Sequence, residues 1–100
     1  MKIHELKIKK EYYKEVALGH KTFELRKNDR DYQVGDLIKF TDALFDRENI
    51  NDKNMVEEYY PSPSETLFKI TYVLKDVPEY GLDKDYCILG IKRVEICEVV

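Results

Sequence analysis

The chain has 100 residues and a mass of 11.9 kDa, the size of one compact domain spanning 1–100. Hydrophobic residues make up 43% and charged residues 37%, which provides both a core and a solvated surface and argues against disorder; no apolar run approaches the roughly 20 residues of a membrane span, so membrane proteins and large multidomain enzymes are excluded. The net charge is -3 and the pI about 5.4, which excludes a strongly basic nucleic-acid binder and leaves any nucleic-acid contact to a local basic site.

Residues Ile3 to Ile8 alternate as a strand that puts His4, Leu6 and Ile8 on one face. Glu11 to Leu18 reads as a helix, with Tyr12, Tyr13, Val16 and Ala17 at core spacing and Lys14 and Glu15 outward. Gly19 follows, where helices end in the left-handed region, while Lys9 and Lys10 leave the start without a capping side chain. Lys21 to Lys27 reads as a second strand, with Phe23 and Leu25 expected in the core and Thr22, Glu24 and Arg26 on the other face.

Asn28 to Asp31 is a polar turn and Val34-Gly35-Asp36 a tight one. The latter opens a strand from Leu37 to Thr41 with Ile38 and Phe40 inward. Thr66 to Leu74 is apolar on both faces and expected at the centre of a sheet. Tyr86 to Ile96 is a further strand, with Gly90 a bulge or a point of close approach. Five short strands and one helix predict a mostly β, α+β fold: a small barrel with a helix packed on its side, or a sheet–helix sandwich.

The connection at about 42–65 is long for a compact domain. It holds two Lys/Arg against seven Asp/Glu and ends in Pro61-Ser62-Pro63-Ser64, so it reads as an acidic insertion, a lid or a protein-binding segment. Met55 to Tyr60 is a candidate helical turn within it. Residues 1–40, by contrast, hold ten Lys/Arg against seven Asp/Glu, so the surface is expected to be polarised.

The stretch from Gly19 to Arg26 carries the most chemistry. Lys21 lies near the bend, and Glu24 and Arg26 project from one strand face. Two cations flanking one carboxylate suit an anion or a nucleotide; the plain alternative is a surface salt-bridge ladder. His4 is either a half-buried structural residue or a catalyst, and His20 reads as a residue favoured by the helix dipole. Cys87 and Cys97 lie ten residues apart on one predicted strand, about 33 Å, too far for a disulfide or a shared metal. Two cysteines and a lysine-rich start without an apolar h-region point to a reducing, cytoplasmic setting. The tyrosines, Tyr59 and Tyr60 included, serve either packing or base stacking.

The pattern Gly19-x-Lys21-x-x-Glu24-x-Arg26 resembles the signature of ASCH domains, small barrels similar to the PUA fold. The wider run, from His4-Glu5-Leu6-Lys7 through Glu24 to Arg30 and on to Val34-Gly35-Asp36, resembles the narrower DUF3850 branch, often found in phages and mobile elements. Ile88 to Lys92 resembles its last strand. The resemblance covers nearly the whole chain except 42–65. It implies a barrel with a cleft beside the first helix that binds RNA or a nucleotide-like ligand. Lys21, Glu24 and Arg26 would line that cleft, with Thr22, His4, Lys27 and Arg30 completing the binding set.

Some ASCH relatives are amidohydrolases acting on acetylated cytidine through a threonine; this chain has Glu24 at that position, a poor substitute for an activated hydroxyl. Other relatives cut RNA, and for hydrolysis of a nucleoside amide or an RNA phosphodiester Lys21, Glu24 and His4 are the candidates. No cofactor and no metal are expected, since zinc-ligand spacing is absent.

Overall fold

Every other residue of Ile3–Lys7 is apolar or buried on one side, and the segment pairs as a strand. The structure, a computed structural model, describes residues 1–41, 63 and 66–94. Along these run β1 (Ile3–Lys7), α1 (Lys10–Ala17), β2 (Phe23–Lys27), β3 (Leu37–Thr41), β4 (Phe68–Leu74), a 3-10 turn (Pro78–Tyr80) and β5 (Tyr86–Arg93). The strands form one sheet in the order β1-β3-β4-β5-β2, with β1 parallel to β3 and the other pairs antiparallel. β4 is the central strand, as its two apolar faces predict.

α1 lacks a side-chain cap at Lys9 but is firmly ended. Gly19 takes φ +83°, its N–H donates to Val16 O, and the His20 N–H donates to Glu15 O at 2.9 Å. This is the Schellman arrangement, which satisfies the last free carbonyls of the helix. Tyr13 and Val16 are buried against the sheet. Tyr12 is half-exposed instead of buried, because adjacent helical residues point about 100° apart and only one of the Tyr12–Tyr13 pair fits beneath the helix.

The core joins Leu6, Ile38, Phe40, Phe68, Ile70 and Leu89 with the helix residues. Phe40 lies between Tyr13 and Phe68, with ring centroids 6.2 and 5.4 Å away, distances at which aromatic pairs attract beyond their area burial. The tight turn closes with Asp36 N–H donating to Gln33 O at 3.0 Å, and Gly35 adopts φ +97° at its third position, a conformation that favours glycine.

Gly90 is the expected close approach: a Cβ there would stand 3.0 Å from Thr71 Oγ1. The ladder irregularity itself lies opposite, between Ile70 and Tyr72 on β4. The 3-10 turn, opened by Pro78 and closed by Gly81 at φ +91°, has a local signal that the sequence reading passed over, whereas the parallel β1–β3 pairing leaves none. Of the 42–65 segment only Pro63 is described; it is fully buried and its carbonyl accepts from Thr66 N–H, so this point of the expected loop packs against the body. Met55 to Tyr60 and Cys97 lie outside the described residues.

The sheet curls into a half-barrel. β1 and β2 are its two edges, and a flat five-stranded sheet would part them by about 19 Å at about 4.8 Å per strand. Yet Arg26 Nη2 on β2 donates to Lys7 O on β1 at 2.7 Å. The edges have therefore been brought within the reach of one side chain, with α1 linking them in the chain. Among the described residues no helix is long and apolar enough to cross a membrane.

Candidate functional site

The facing of β2 decides the site. Its register sets Glu24 opposite Leu89 and Arg26 opposite Cys87, and both partners are fully buried. Directly opposed residues share a face, so Glu24 and Arg26 point inward. Phe23 and Leu25 point outward, 47% and 57% exposed, which overturns the expectation that they fill the core. Alternation groups residues by face; the apolar run Cys87, Leu89, Ile91 on the neighbouring strand selects which face is inner.

An inward carboxylate needs partners, and Glu24, 4% exposed, has them. Lys21 Nζ donates to Oε1 at 2.5 Å. Arg26 Nε donates to Oε2 at 3.1 Å, and its Nη2 stands 3.0 Å from the same oxygen. Lys21 also donates to Phe23 O at 2.6 Å and sits 4.9 Å from the Phe23 ring centroid and 5.9 Å from that of Tyr12, within cation–π range. The arginine lies 6.0 Å from the Phe40 ring. The signature is thus a helix stop at Gly19, a cation, a buried acid and a second cation that reaches across to β1.

These residues border a cleft of about 410 Å³. Lys7, Lys9, Tyr12, Phe23 and Leu25 also line it, together with Glu24 and Arg26. Among the described residues its walls therefore carry four cations, counting Lys21, against the single acid Glu24. A second cleft of about 320 Å³ opens on the other side of Lys21, beside Gly19, Thr22, Ile91, Lys92 and Arg93.

The structure gathers Lys21, Glu24 and Arg26 at the first cleft and places Thr22 at the second. His4, Lys27 and Arg30 line neither. Lys27 is exposed, opposite Tyr86, and Arg30 Nη1 donates to Glu5 O at 3.0 Å. His4 is buried, its Nε2 2.8 Å from Asp36 Oδ2 and its ring 4.8 Å from that of Tyr32. It is therefore engaged away from Glu24. Burial raises the Asp36 pKa, but the hydrogen bonds from His4 and from the Lys2 and Gln33 N–H groups outweigh this and hold the carboxyl below its ordinary range. Exposed His20 pairs with Glu15 at 3.0 Å.

Cys87 is buried and unpaired; burial pushes its thiol pKa up, with Lys75 opposing, which suits a core residue and not a nucleophile. Burial likewise pushes Tyr32 up against the opposing charges of Arg30 and Arg26. Among the described residues no group of His, Cys, Asp and Glu is arranged to hold a metal.

Lys7, Lys9, Tyr12, Phe23 and Leu25 line the cleft although the sequence did not place them there. Lys7 and Lys9 flank the expected strand end, a visible basic cluster, but their place at the cleft follows from the curl of the sheet. A search of curated proteins finds no match. A family model described as a domain of unknown function, DUF3850, matches residues 3–91. Because that match takes in the helix, the Lys21–Glu24–Arg26 clamp and nearly all of the five strands, the chain belongs to the DUF3850 family.

Proposed function

We propose that the chain is a PUA-like ASCH domain that binds RNA or a nucleotide-like ligand in the cleft between the end of β1, the start of α1 and β2. The observation that carries this is the pairing of exposed apolar side chains with cations: Tyr12, Phe23 and Leu25 stand beside Lys7 and Lys9 over a buried Glu24 already neutralised by Lys21 and Arg26. Aromatic faces stack bases without regard to sequence, each worth about 1–3 kcal/mol. Lysine ammonium groups bind phosphate as mobile point charges. Both oxygens of Glu24 are held by cations, which favours binding over a role as general base in hydrolysis.

The test is calorimetric titration with the four ribonucleoside monophosphates, followed by turnover assays on the ligands that bind. A Tyr12→Ala variant and a Lys7→Ala, Lys9→Ala double variant are each expected to weaken binding about tenfold, within the range of one lost stack or two phosphate contacts. No binding by the wild type, or unchanged affinity in both variants, overturns the proposal.

A further inference from the structure

The outer face of the sheet carries its own pattern. Register aligns Phe23, Gly90 and Tyr72 in one row across β2, β5 and β4. Leu25, Ile88 and Leu74 form the next row on one side, and Lys92 opposite Lys69 forms the row on the other. Tyr72 is 62% exposed and Phe23 nearly half-exposed. The two rings rise from strands about 10 Å apart, two strand spacings, with Gly90 between them and the Thr71 hydroxyl against the position its Cβ would take.

Charge on this face is one-sided. Its outward positions on the five strands hold Lys7, Lys27, Lys39, Lys69 and Lys92 against the lone acid Glu5. Lys69 and Lys92 are exposed, and no ion pair joins either to another described residue. Among the described residues, the β4–β5 connection, at the far end from the lysine row, holds Asp76, Glu79, Asp83 and Asp85 against Lys75 and Lys84. Of the described residues, the Lys69–Lys92 row is therefore the end of the face that favours a polyanion.

We infer that this face is a stacking platform for single-stranded RNA, continuous with the cleft through Phe23, which belongs to both. The cleft takes one nucleotide; Tyr72 and Phe23 stack its neighbours, and Lys69 and Lys92 neutralise their phosphates. The polymer class rests on the nucleotide reading of the cleft, while the platform itself rests on the exposed rings and the charge complementarity of the lysine row. An acidic protein partner would use the lysines but not the pair of exposed rings on either side of Gly90.

The experiment compares a single-stranded RNA of roughly 12 nucleotides, within the site sizes of sheet-based binders, with a mononucleotide on the full chain. Tyr72→Ala, with Tyr72→Thr as a second variant of higher strand propensity, is expected to weaken the oligomer about fivefold to a hundredfold and leave the mononucleotide unchanged. Lys69→Gln with Lys92→Gln is expected to reduce the slope of log affinity against log salt by about 1.4, since each single-strand phosphate contact contributes about 0.7. Oligomer affinity and salt slope unchanged in these variants overturn the platform. So does a Tyr72→Ala protein that loses stability but keeps its RNA affinity, for then the ring only shelters Gly90. Binding of a poly-glutamate peptide without binding of RNA overturns it in favour of a protein partner. If the oligomer binds and responds to the variants while the mononucleotide does not bind, the cleft reading falls and the platform stands.

Discussion

At the scale of single residues, the two buried carboxylates do different work. Glu24 is placed by its neighbours in sequence: Lys21 and Arg26 lie three and two positions away, so its neutralisation was legible as a local charge pattern. Asp36 was not, because its partner His4 is thirty-two positions distant and meets it only when β1 lies parallel to β3. The Asp36 carboxylate accepts from His4 Nε2, Lys2 N–H and Gln33 N–H, and its pKa is held below the ordinary 3.8. A carboxyl depressed in the folded state stabilises the fold fully above its unfolded pKa, and that stabilisation is lost as pH falls through the folded value, because the unfolded chain takes up the proton first. Urea denaturation at a series of pH values between about 7 and about 3 is therefore expected to show falling wild-type stability at the acid end. Asp36→Asn, which cannot accept all three bonds, is expected to be less stable by about 1–3 kcal/mol near neutrality, with the gap closing toward the acid end. A constant gap across the series would show that Asp36 ionisation contributes nothing.

At the scale of elements, strand and helix positions were legible and their facing only partly so. The apolar periodicity of β1 and β3 located their buried sides, since His4, Leu6, Ile38 and Phe40 are all buried, whereas β4, apolar on both faces in sequence, buries Phe68 and Ile70 and leaves Tyr72 exposed. β2 reversed the rule because its inner face is charged and its outer face apolar. No single-strand pattern reveals this; the three cation and acid positions of the signature were the available sign that the polar face was the one being used. The consequence is measurable. Phe23→Ala, at a half-exposed position, is expected to cost about 1 kcal/mol or less, whereas Leu89→Ala, at a fully buried position, is expected to cost about 2–5 kcal/mol. Equal losses for the two, read from chemical denaturation midpoints, would put Phe23 back in the core.

At the scale of the whole molecule, the chain closes its sheet with side chains where a full barrel would use a backbone ladder. An unpaired edge strand offers carbonyl groups to any other chain. On β1 the carbonyls of Glu5 and Lys7 face the gap, and Arg30 and Arg26 donate to them at 3.0 and 2.7 Å. Charged donors make the stronger class of hydrogen bond, and Arg26 is itself anchored by the buried Glu24, so the edge, the cleft and the clamp form one mechanical unit. None of this was legible locally, because Arg26 and Lys7 are nineteen positions apart and Arg30 and Glu5 twenty-five. If these two contacts hold the half-barrel shut, the Arg26→Met, Arg30→Met double variant should open β1 and β2 without opening the centre of the sheet. Amide hydrogen exchange reads this directly: protection of β1 and β2 amides should fall at least tenfold, the effect of about 1.4 kcal/mol lost from local closure, while β4 and β5, paired along most of their length, retain the wild-type pattern. A uniform loss across all five strands would mean that the arginines support the fold globally. Unchanged protection in β1 would mean that pairing with β3 alone holds that strand and that the arginine contacts are decoration on an edge already secured.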